Sequence, residues 1–160
     1  EGKVAGLRDF KARGGLEYTT ADMRVDIDFD DFNDGNAVKG YVENRKIFDT
    51  NGNDITQDVL DALTVKAGDV TQTELPTIVF TVGPGVMNDN GEIVGLLGSN
   101  YYDSSGSLKA LDSGKYYALV SGAGADQQVV GVFVVEADDP RYTGVKVRET
   151  GGFILDRSVP

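Results

Sequence analysis

Five aspartates fall within nine residues of the stretch MRVDIDFDDFNDG, at positions 26, 28, 30, 31 and 34. Such a density of carboxylates could bind a cation or supply acid–base pairs. Spacing decides between these and a plain alternative. Val25, Ile27 and Phe29 alternate with Asp26, Asp28 and Asp30, the period of a strand with one face dry and the other wet. Alternate residues of a strand stand about 6.6 Å apart. Oxygens sharing one calcium ion lie about 2.4 Å from it, hence within about 5 Å of one another. Three carboxylates in such a row cannot share one ion, so the run reads as a solvated strand face. Carboxylates could still converge at the turn that follows, where Asp31 and Asp34 flank Asn33.

A second acidic stretch, DTNGNDITQD, places Asp49, Asn51 and Asn53 at the first, third and fifth positions of a calcium loop. The sixth position, normally Gly, is Asp54, and the twelfth, normally a bidentate Glu, is Leu60. A turn leading into a helix accounts for it better, with a degenerate, weak calcium site as the alternative. No other cofactor is expected. The glycines of SGAGADQQ lack the third member of a dinucleotide fingerprint, and a strand-like VVGVFVVE follows where a helix would have to hold the pyrophosphate. A tight hairpin is expected there. Tyr101-Tyr102 and Tyr116-Tyr117 send one ring to each face of a strand. The outward rings, together with Tyr142, are candidates for a partner-binding surface, with Tyr101, Tyr102 and Tyr142 the candidate residues.

Composition removes much other chemistry. The 160 residues contain neither Cys nor His, so disulfides, thiolate catalysis, a Ser-His-Asp triad and the commonest zinc ligands are all excluded. A formal net charge of −11 repels nucleic-acid phosphates. With 26 acidic residues some pair will always sit at the spacing of a glycosidase. The absence of Trp removes the usual sugar platform, so a carboxylate-dependent hydrolase is the least favoured reading and a non-enzymatic role is expected. No apolar stretch approaches the length of a helical membrane span. The first residue is Glu1, and any lipid anchor would lie upstream of it.

The elements that must position these residues are short and rich in β-branched and aromatic side chains, and glycine-rich turns separate them. Strands are predicted near residues 25–29, 37–42, 77–82, 92–97, 115–121, 129–136, 143–148 and 152–155, with further candidates at 15–20 and 64–70. Turns are expected at Asp34-Gly35, Asn90-Gly91, Ser105-Gly106, Ser113-Gly114, Asp139-Pro140 and Gly151-Gly152. One helix is predicted where Ile55, Val59, Leu60 and Leu63 share a face behind a capping box of Asp54 and Gln57. The fold expected is all-β: one domain over residues 1–160, an antiparallel barrel of eight to ten strands with one short helix. Residues 1–15 are read as a loosely ordered N-terminal segment or the first strand, and the last strand is expected to close against an early one. A two-residue turn at Asp34-Gly35 would pair Ile27 with Val42 and Phe29 with Gly40. Phe29, Phe80, Phe133 and Phe153 are expected to point inward and fill the centre.

MRVDIDFDDFNDGNAVKGYVEN and GKYYALVSGAGADQQVVGVFVVE, the latter with Gly131 before Phe133, resemble hairpins of the transferrin-binding-protein-like β-barrel family of bacterial surface lipoproteins. The resemblance spans roughly residues 23 to 155. It implies an eight-stranded barrel with a hydrophobic centre, exported to the bacterial cell envelope (outer-membrane surface or periplasm), and it allows a lipid anchor. It also implies that the barrel presents loops to a protein partner, with iron or nutrient acquisition as the setting the family suggests, rather than performing catalysis. No binding residue carries over, because the binding loops of that family are long and variable. The alternative function is a lipocalin-like carrier holding a small apolar ligand within the barrel.

Overall fold

The computed structural model describes residues 1–29, 38–81 and 87–158. The chain forms β1 (Gly2–Lys11), β2 (Leu16–Ile27), β3 (Val38–Phe48), α1 (Thr56–Lys66), β4 (Ile78–Thr81), β5 (Glu92–Tyr102), β6 (Leu108–Ser121), β7 (Gln128–Asp138) and β8 (Lys146–Asp156). Each strand pairs antiparallel with its sequence neighbour, and β8 returns to β1, so the eight strands close an up-and-down barrel. All-β architecture and the single short helix are as the sequence predicts. Residues 2–11 are the first strand, paired with β8 from Gly2 opposite Leu155 to Lys11 opposite Lys146. Closure leaves no sheet edge there.

Several boundaries differ from expectation, each for a local reason. Residues 64–70 are not a strand. Thr64 and Val65 continue α1, which buries Val59, Leu60 and Leu63. The helix then ends in a Schellman motif, the Gly68 amide donating to the Val65 carbonyl and the Asp69 amide to the Thr64 carbonyl. The predicted capping box does not form. Asp54 Oδ1 accepts the Thr56 amide at 2.9 Å, and Gln57 Nε2 turns forward to Asp61. Of the strands predicted at 143–148 and 152–155, residues 143–145 lie in the turn before β8 and the rest form one strand, β8, so Gly151-Gly152 is no turn. Gly151 faces inward, where any Cβ would collide with the Phe133 ring. Ser113-Gly114 likewise lies inside β6, because Gly114 sits against the Val134 carbonyl.

The β2–β3 register is also corrected. Ile27 pairs with Val38, Val25 with Gly40 and Met23 with Val42. The hairpin is thus shifted from the expected pairing, but by an even step that keeps the same residues inside. An aromatic ring does lie over Gly40, but it is that of Phe80, 2.8 Å from where a Cβ would stand. Phe29 falls beyond β2 and is exposed.

The lumen is filled in two layers. Towards the β2–β3 and β6–β7 connections it is apolar: Val4, Met23, Val42, Ile78, Phe80, Ile93, Leu97, Tyr116, Phe133 and Phe153 form one cluster. Phe80 and Tyr116 stack with ring centroids 4.1 Å apart. At the opposite end, α1 and the segment after it lie over Ile47 and Tyr101. Between that cover and the apolar layer lie the buried charges Arg8, Glu17, Arg45, Asp112, Asp139 and Glu149.

Candidate functional site

Strand alternation that fills the lumen also dictates what stands outside, and on β5–β8 the outside is apolar. Pairing aligns Glu92, Leu119, Val130 and Ile154 in one row and Val94, Tyr117, Val132 and Gly152 in the next. A third row holds Leu96, Lys115, Val134 and Thr150. Ile154 remains 59 % exposed, Val94 57 % and Val132 50 %. Polar rows flank them, with Ser121, Gln128 and Asp156 on one side and Ser113, Glu136 and Arg148 on the other. The outer face of β1–β3 is different, carrying Lys3, Asp9, Asp22, Arg24, Asp26, Lys39 and Glu43. Lys3 pairs with Asp22, and Arg24 with Asp26 at 3.3 Å. Exposed Leu7, Tyr18 and Tyr41 interrupt this charged face, so the barrel has one mixed half and one predominantly apolar half. A charge-depleted centre within a polar rim is the composition of a docking surface. A membrane barrel would instead need an apolar band all round and a polar lumen.

The acidic strand is wet as expected. Asp26 is exposed opposite Lys39, and Asp28 is exposed beyond the end of β2. Asp31 and Asp34 lie outside the described residues. Asp49 is committed to its own turn: Oδ1 accepts the amides of Asn51 and Asn53 at 2.9 Å, and Oδ2 accepts Asn53 Nδ2 at 3.0 Å. These bonds hold the Asp49 carboxyl below its usual range, the Asn53 side chain contributing most. Asn88 and Asp103 build the same turn over five residues. In all three, a glycine at the fourth position takes positive φ (Gly52, Gly91, Gly106) and the closing backbone bonds are identical in pattern. The thrice-repeated Asp/Asn-x-x-Gly is therefore hairpin chemistry. Among the described residues, no group of three or more acidic side chains is arranged to hold a metal ion.

The candidate tyrosines are not brought together as a surface. Tyr101 is buried with Leu63 and Ala67 of the helix segment. Tyr102 is exposed at the end of β5, paired with Leu108. Tyr142, in the β7–β8 connection, lies under the Arg13 guanidinium at 3.6 Å and against the edge of Phe10. It lines a groove with Val65 of α1.

The buried charges escaped the sequence reading. Arg45 donates to the Pro76 carbonyl at 2.9 Å, to Asp112 Oδ2 at 2.8 Å and to Glu149 Oε1 at 3.4 Å. Arg141 forks onto Glu17 at 2.8 and 2.9 Å and onto Asp139 at 2.8 Å. Burial works against the charge on Arg45, yet Asp112 and Glu149 outweigh it and raise its pKa. Burial likewise pushes Asp139 up, but Arg141 and Arg8 win and hold it below the usual carboxylate range. The enclosed void among Arg8, Arg45 and Asp112 is about 20 Å³, room for a single water, while Asp139 and Arg141 also border the open groove that Tyr142 lines. Phase was the available signal: Glu149 alternates in step with Val147, Phe153 and Leu155, and Asp112 with Tyr116 and Ala118. A larger cavity, about 330 Å³, opens at the opposite mouth over Ile27, Val120, Val129 and Leu155, with Arg24, Asp156 and Arg157 at its rim.

Fold and site together define a closed eight-stranded up-and-down barrel with a filled lumen and a one-sided apolar wall. No protein-family model matches the chain, and comparison with curated proteins and with solved structures gives no match.

Proposed function

We propose that the protein is a non-enzymatic binding protein that engages a protein partner through the outer wall of β5–β8. The observation that carries this reading is the three-row apolar face bounded by polar rows. Three of the described connections are short turns whose side-chain acceptors serve their own backbones, so these offer less than the wall does. The buried charges favour a structural role over catalysis, because they neutralise one another in pairs and enclose a void of only about 20 Å³. Location in a bacterial envelope, and any link to iron or nutrient uptake, rests on the resemblance of the two hairpin motifs alone. The test is a photo-crosslinking side chain at position 132, introduced in the native cell. A protein adduct is the expected result, and the absence of any adduct would refute the wall reading.

A second reading is favoured by the mouth cavity, whose volume is at the lower end of small-molecule sites. A small amphiphile would lie on Ile27 and Val129 with its polar end at Arg24 or Arg157. An environment-sensitive fatty-acid probe distinguishes the two: saturable binding lost in Val129→Trp supports carriage, and no saturable binding removes it.

A further inference from the structure

The geometry points to a second copy of this chain as the partner of the β5–β8 wall, forming an isologous face-to-face dimer; the inference rests on the wall reading above. Two observations select this occupant. The first is area. The exposed Tyr117, Leu119, Val130, Val132 and Val134 of the two central strands, with Val94, Leu96 and Ile154 at the flanks, offer on the order of several hundred Å², a substantial part of the ~800 Å² that each partner contributes to a stable protein interface.

The second observation is charge. Within the three rows only Glu92 and Lys115 are charged, and they stand in the first and third rows on adjacent strands. A two-fold axis lying in the interface and crossing the strands exchanges those two rows. Each Lys115 then faces the other copy beside its Glu92, giving two symmetric ion pairs. Among the described residues, Glu92 accepts from Asn88 Nδ2 through Oε2, and Oε1 is the oxygen that the dimer pairs with Lys115. A wall built for an unrelated partner has no reason to be complementary to itself.

Sedimentation equilibrium on the full chain at micromolar to hundred-micromolar concentration reads the assembly directly. The expected species is twice the 17.1 kDa chain mass. Val132→Glu, at an exposed position, should leave a folded monomer. Lys115→Glu should weaken the dimer at least about tenfold by opposing like charges, and adding Glu92→Lys should restore it. Thermal melting confirms that each variant is folded. A wild-type monomer throughout the range overturns the proposal, as does a dimer indifferent to Val132→Glu or a charge swap that fails to restore. The crosslink at position 132 separates the two inferences. An adduct to a different protein overturns the dimer and leaves the wall reading standing, whereas no adduct removes both.

Discussion

Replacing Arg45 by Met tests whether the charge layer under the helix holds the barrel together. The cluster sets three guanidiniums (Arg8, Arg45, Arg141) against four carboxylates (Glu17, Asp112, Asp139, Glu149). Arg45 alone bridges β3 to β6 and β8 while also satisfying the Pro76 carbonyl just before β4. Methionine fills most of the volume but supplies no donor. It leaves the Asp112 carboxylate with Ser99 Oγ, a donor at 2.5 Å, and removes the Glu149 ion pair, leaving that carboxylate Arg8 as a cationic neighbour. Breaking one side of a buried pair costs about 3–5 kcal/mol, because the remaining charge stays desolvated. For a chain of this size that is roughly 10–15 °C in melting temperature. Urea and thermal melts at pH 7 measure it. The exposed Arg24–Asp26 pair is the control, since Arg24→Met should cost under about 1 kcal/mol. A lost cation and a mere packing defect are told apart by removing the stranded charges: in an Asp112→Asn, Glu149→Gln background, Arg45→Met should cost much less. A loss below about 1 kcal/mol, or one unchanged in that background, would refute the argument.

Wild-type stability itself should fall on acidification. Asp139 is depressed when folded, so its contribution is complete above its unfolded value of 3.8 and is lost as pH drops through the lower folded value. Melts from pH 7 to pH 2 should therefore be level first and steepen below about 4, and Asp139→Asn should blunt that slope. Gly114→Ala should destabilise by about 3 kcal/mol or more, because the new methyl meets the fixed Val134 carbonyl. Gly152→Ala, where a Cβ would meet nothing within 4 Å, should be neutral or slightly stabilising, as equilibrium urea curves would show. Asp49→Ala should lower the melting temperature through the lost turn bonds. Millimolar calcium should leave the melting temperature of wild type unmoved; a rise would return Asp49, Asn51 and Asn53 to the status of ligands.

Alternation made the strands legible, but not their lengths. Val25 and Ile27, or Phe133 and Val135, show their faces at once. Strand interiors containing Gly114 or Gly151-Gly152 read as turns, because glycine marks both a bend and a close approach. The two differ only in what lies opposite, here Val134 and Phe133, and a one-dimensional reading cannot contain that. The β2–β3 register failed similarly. Asp34-Gly35 is a strong local turn signal, but the barrel pairs Ile27 with Val38. The inside–outside pattern survived because strand period tolerates even shifts. Candidate site residues were harder still. Calcium-like spacing at Asp49 is identical to that of a hairpin turn, and only its recurrence at Asn88 and Asp103 betrays the turn.

The distribution of polarity carries more than any motif. Over β5–β8 it runs against the usual order, with Asp112 and Glu149 inside and Val94, Val132 and Ile154 outside. An inward charge needs a partner, and each of these has one within the chain, in Arg45. Nothing further need bind there. Outward apolar side chains also need a partner, and among the described residues the chain supplies none. Both departures cost free energy in an isolated barrel, but only the inner one is offset by the fold itself. The outer one is offset when another surface covers it. Function is therefore to be sought on the wall, and the self-complementary placement of Glu92 and Lys115 indicates which surface to test first.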